Sequence, residues 1–164
     1  GNLAGVTLPE TSKVGDTQLV LNGMGLRKKL WVKVYVGAIY LREKSSDPAK
    51  IIAADEPKQM VMHFLYEVDA AKLVDAWKEG FANNSAAKLP QLQQRLDQFC
   101  VLWRTMKVGE EATMTYSPGV GVKLAIGGSE VGLLQGKDFA DALFAVWLGD
   151  APPSADLKKG VLGQ

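Results

Sequence analysis

Apolar residues alternate with polar ones along the first part of the chain, and farther on they recur every three to four positions. Val6-Thr7-Leu8-Pro9 reads as a short strand stopped by proline, and Thr17 to Leu26 as a second strand with Leu19 and Leu21 on one face. Asn22-Gly23-Met24-Gly25 interrupts it. Two glycines at i and i+2 of a strand mark a bulge, or a place where something approaches the backbone closely. Leu30 to Leu41 is the longest candidate strand and is apolar on both faces, so it is expected to be central. Ser45-Ser46-Asp47-Pro48 ends this run and caps a short helix over Ala49 to Ala54, after which Lys58 to Tyr66 is another strand.

Two helices follow. Asp69 is a suitable N-cap, and Leu73, Trp77 and Phe81 then fall on one helical stripe. Asn83-Asn84-Ser85 reads as a turn, and Leu89, Leu92, Leu96, Phe99 and Trp103 form a second stripe. Ala112 to Tyr116 and Val122 to Ile126 read as paired strands, with Gly127-Gly128 a tight hairpin signal. Lys137 to Leu148 is a third long helix that buries Phe139, Leu143 and Trp147, with Gly149 at its C-terminal end. Ser154 starts a short helix through Lys159. Strands, two helices, strands, helix: this order predicts an α+β fold, an antiparallel β-sheet packed against a layer of α-helices. Neither repeat nor linker divides it, so residues 1–164 are expected to form one domain.

Composition narrows the function classes. Of 164 residues, 47% are hydrophobic and 23% charged, which suits a globular core. The formal net charge of +1 provides no broad basic field, so nucleic acid is not an expected partner. No apolar run approaches the roughly 20 residues of a membrane helix. Cys100 is the single cysteine, so no intrachain disulfide forms and the redox compartment stays open. No secretory leader is expected within these residues, and an exported chain trimmed of its leader reads the same.

Generic chemistry is sparse: there is no phosphate loop, dinucleotide fingerprint, nucleophile elbow or metal spacing. His63, the only histidine, alternates with Val61 and Leu65 and reads as a packed or rim residue. Cys100 reads as a buried, inert thiol. The four tryptophans sit in apolar patterns that core packing explains, and Arg27-Lys28-Lys29 reads as a solvated turn.

The order of short motifs resembles the chalcone isomerase family. Leu21-Asn22-Gly23-Met24-Gly25-Leu26-Arg27 precedes Val32-Lys33-Val34-Tyr35 and Ile39-Tyr40-Leu41. Met114-Thr115-Tyr116-Ser117-Pro118-Gly119, Gly136 to Leu143, Trp147-Leu148-Gly149-Asp150 and Asp156-Leu157-Lys158-Lys159 follow in order. The resemblance spans nearly the whole chain and implies a sheet layered on helices, with a ligand cleft between. By size the chain is most similar to the bacterial chalcone-isomerase-like branch, whose members are commonly exported. Periplasmic or secreted residence is therefore expected by resemblance.

The family includes isomerases, fatty-acid binders, non-catalytic helpers of flavonoid synthesis and haem-holding relatives, so fold alone does not select a function. The resemblance places a cleft arginine of the true isomerases at Arg27. It places their other polar cleft residues at Tyr35, Asp69, Ala76 and Val146, so a threonine, a tyrosine, an asparagine and a serine or threonine are replaced and only the arginine is kept. Tyr35 in place of threonine is more similar to the fatty-acid-binding branch. The leading expectation is thus non-catalytic binding of a small amphipathic carboxylate. Arg27 and Tyr35 would hold the head group, Tyr40 would line the site, and Gly23 and Gly25 would leave space beside the arginine. An intramolecular lyase (isomerase) on an unknown substrate is the alternative. A haem-binding or partner-modulating protein is the second, although His63 is the only imidazole and no haem-attachment motif exists. No cofactor and no metal are expected.

Overall fold

Seven strands pair antiparallel in chain order into one sheet. They are β3 (Thr11–Val14), β4 (Thr17–Lys29), β5 (Val32–Leu41), β6 (Lys58–Phe64), β7 (Glu111–Ser117), β8 (Gly121–Ile126) and β9 (Ser129–Leu134). A small hairpin, β1 (Asn2–Leu3) with β2 (Val6–Thr7), precedes them. The computed structural model describes residues 1–164. Interspersed are α1 (Pro48–Ala53), α2 (Ala70–Ser85), α3 (Leu89–Cys100), α4 (Lys137–Leu148) and α5 (Ala155–Val161). No helix is long and apolar enough to cross a membrane.

The sheet separates two cores. On one face the helical layer packs against Ile39, Met60, Phe64, Met114 and Leu124, and Trp77, Phe81, Leu96, Phe99, Leu143 and Trp147 are all buried there. On the other face Val36, Ala38, Tyr40 and Val61 meet Leu19, Leu21 and the residues Val6 and Leu8 near the N-terminus. That second core is why β5, flanked by β4 and β6, is apolar on both faces.

Local chemistry sets the element ends. Asp47 accepts hydrogen bonds from the Ala49 and Lys50 N–H groups, with Pro48 in the first turn of α1. Gly127 and Gly128 adopt φ of 61° and 84° in the two-residue β8–β9 loop, where both positions need a left-handed backbone. The turn expected at Asn83–Ser85 is instead the last part of α2. The Asn84 side chain has one partner in its own helix and one across the fold. It donates to Gly80 O at 2.9 Å and Ala151 O at 3.0 Å, and accepts from Ala151 N–H at 2.8 Å. The two bonds to Ala151 tie α2 to the loop between α4 and α5.

Strand β4 bulges between Leu21 and Gly23, and Asn22 at the bulge is buried. Its amide donates to Ser45 O and Val161 O, both at 2.9 Å, and its oxygen accepts from Ser45 N–H. A second irregularity falls between Arg27 and Lys28, just before the hairpin loop Leu30–Trp31.

Candidate functional site

A cleft of about 520 Å³ opens between the β4–β6 part of the sheet and α2, bounded at one end by the last turn of α4 and by Ala151–Pro153. Fourteen of its 23 lining residues are hydrophobic, so the walls suit an apolar body and the few polar groups set orientation. Helix α2 contributes one stripe, Lys72, Leu73, Ala76, Trp77, Glu79, Gly80 and Asn83. The sheet contributes Arg27, Val34, Tyr35, Met62 and Phe64.

Arg27 and Tyr35 are cross-strand partners in β4 and β5, so both side chains project from the same face of the sheet. Arg27 makes no ion pair. Its Nη1 donates only to main-chain oxygens, Lys28 O at 3.1 Å and Pro153 O at 3.0 Å. The Tyr35 hydroxyl accepts from Trp147 Nε1 at 3.1 Å, and no protein acceptor takes its own proton. Burial pushes the Tyr35 pKa up to about 12, against the opposing pull of the Trp147 bond and the Arg27 charge. At neutral pH Tyr35 is therefore a protonated donor beside an unpaired guanidinium. Trp77 stacks edge-on against Phe99 and Trp147 at 5.1 and 5.5 Å, and its indole N–H is buried without an acceptor.

The other expected ligand residues lie elsewhere. Tyr40 is five positions from Tyr35 on the same strand, an odd offset that turns it to the opposite face. It is buried in the second core, with its hydroxyl donating to Pro9 O at 2.7 Å. Gly23 and Gly25 leave no open space beside the arginine. A Cβ on Gly23 would lie 2.2 Å from Gly160 O, and one on Gly25 2.3 Å from Leu157 O. The close approach expected there is that of α5, not of a ligand. Asp69 caps the start of α2 without a side-chain cap bond and is not among the cleft residues. Ala76 and Val146 do line the cleft.

Sequence reasoning assigned Trp77 and Trp147 to the core alone, yet both also form cleft wall. The spacing of Lys72, Ala76, Gly80 and Asn83 was the available signal. His63 is a rim residue on the other face, its Nδ1 2.7 Å from Glu111 Oε2. Cys100 is buried, and burial pushes its thiol pKa up.

The family described as Chalcone isomerase-like matches residues 1–163. No curated protein matches the chain in sequence. Among solved structures, the Arabidopsis thaliana fatty-acid binding protein AtFAP1 superposes with a TM-score of 0.75 at 17% identity, covering 96% of this chain and 92% of that one. At that identity the likeness is one of fold.

Proposed function

The chain belongs to the chalcone isomerase-like family, and from that premise we propose that it binds a small amphipathic carboxylate, such as a fatty acid, without transforming it. One observation carries the reading: Arg27, without a carboxylate partner, shares an apolar cleft with the free hydroxyl proton of Tyr35. Arg27 is half-buried and makes no ion pair, so its charge is open to an incoming anion, and its planar fork suits a carboxylate. A fatty acid supplies the anion, and its chain covers Val34, Met62, Phe64 and Leu73. AtFAP1, of the same fold, is a fatty-acid binding protein by name, which supports the same ligand class.

Calorimetric titration with laurate tests this. Arg27→Ala is expected to weaken binding by about 1.5–3 kcal/mol, the worth of a charged hydrogen bond. Arg27→Lys recovers only part, because an ammonium lacks the fork. Tyr35→Phe costs about 0.5–1.5 kcal/mol as a neutral donor. Equal affinity across the four proteins would remove Arg27 and Tyr35 as the head-group site.

A further inference from the structure

The β4–β5 hairpin ends in a two-residue loop, because Lys29 and Val32 are the last register partners. Leu30 and Trp31 form that loop and are 80% and 81% exposed. Leu30 has a φ of 57°, a left-handed position that glycine occupies freely and a branched apolar residue does not. A bulky apolar side chain thus sits where the turn itself favours none, and such a local violation points to a role outside folding. Trp77, Trp103 and Trp147 are buried, so Trp31 is the exposed tryptophan of the chain.

Charge surrounds the tip. Residues 27–33 carry Arg27, Lys28, Lys29 and Lys33 and no carboxylate, although the whole chain is nearly neutral. Lys28 and Lys33 are cross-strand partners directly behind the loop and both are exposed. Other exposed apolar residues, such as Val101 and Val108, lack this setting. A tryptophan beside a leucine, ringed by lysines, has the chemistry of the bilayer interface, where an indole rests at headgroup level and ammonium groups meet lipid phosphates. Two apolar side chains on a narrow tip offer much less than the ~1,000 Å² a specific protein interface needs.

We propose that this hairpin tip docks the protein on an anionic lipid bilayer. Trp31 and Leu30 enter the interfacial layer, while Lys28, Lys29 and Lys33 contact the phosphates. Lys29 and Leu30 also line the cleft, so docking sets the cleft mouth beside the lipid. The proposal stands on the exposure and charge of the tip and holds whatever the cleft binds.

Co-sedimentation with sucrose-loaded vesicles of phosphatidylglycerol and phosphatidylcholine, against phosphatidylcholine alone, tests it. The intact protein is expected to bind the anionic vesicles at low salt, with a blue shift of Trp31 emission and loss of its quenching by acrylamide. Trp31→Ser should bind at least tenfold more weakly. Lys28→Ala and Lys33→Ala should each lose about fivefold, the share of one lysine at a charged surface. All three side chains lie outside the cleft lining, so a parallel laurate titration reports separately on the cleft. Unchanged Trp31 emission at saturating lipid overturns the proposal, as does equal vesicle affinity for wild type and Trp31→Ser. A lipid-free dimer abolished by Trp31→Ser also overturns it, in favour of a second copy of the chain as partner.

Discussion

Lys58 is 3% exposed and still carries an ammonium group. It donates to Ile51 O at 2.5 Å and Ala54 O at 2.8 Å, with Ile52 O farther away at 3.4 Å. These are the unpaired carbonyls at the end of α1, where the helix dipole is negative. The rings of Tyr116 and Phe144 flank the nitrogen at 5.8 and 5.7 Å. Burial lowers its pKa to about 8 from 10.5. Lys137 adds to the shift, while Asp141, Glu56 and Asp55 oppose it. Between those two values the unfolded chain binds the extra proton, so stability rises as pH rises from about 8 towards 10.5. Below that window both states are protonated and the contribution is constant. Urea unfolding at pH 8 and pH 10 should therefore show wild type gaining on the order of 1–2 kcal/mol relative to Lys58→Met. Parallel pH profiles for the two proteins would contradict a buried, titrating Lys58.

Among the elements, the contact of α5 with β4 leaves little room. Gly160 is packed against Gly25, and a Cβ on Gly160 would lie 2.4 Å from Met24 O. Backbone thus meets backbone, and no side chain can swing aside. Gly25→Ala and Gly160→Ala are each expected to destabilise by about 1–3 kcal/mol. That is a fall of roughly 2–4 °C in Tm per kcal/mol for a chain of this size. The double variant should cost less than the sum, because one displaced helix relieves both clashes; full additivity in thermal melts would argue against a shared contact. The glycine pair in β4 marked this approach in sequence, and the apolar stripes of α2, α3 and α4 marked the helical layer. Strands β3 and β9 were not legible. Thr11–Val14 and Ser129–Leu134 lie at the two sheet edges, where half the pairing is missing and Leu134 is the single buried residue of the two strands, so neither carries an apolar stripe. The β4–β5 loop was also misplaced, because Leu30–Trp31 reads as strand by composition and carries no turn residue.

For the molecule as a whole, the sheet face decides which residues can act together. That Arg27 and Tyr35 lie on neighbouring strands was legible from motif order, and antiparallel register makes them partners on one face. Tyr40 was misassigned because proximity in sequence says nothing about face unless the offset is even. The same geometry bears on catalysis. Cyclising a chalcone needs donors that hold the charge developing on the ketone oxygen. The cleft wall offers Ala76 on α2 and Val146 on α4, and neither side chain can donate. Each absent oriented donor is worth about 2.7–4 kcal/mol in a transition state, so two of them outweigh what Arg27 supplies beside Tyr35, and the other cationic lining residues, Lys29 and Lys72, are flexible point charges without a planar fork. Naringenin chalcone incubated with the protein is therefore expected to cyclise at its spontaneous rate, followed by loss of its visible absorbance. Arg27→Ala should leave that rate unchanged, in contrast to its effect on laurate affinity. Turnover well above the spontaneous rate that disappears in Arg27→Ala would mean that Tyr35, Trp77 and Arg27 together supply the donors, and that the cleft is an active site.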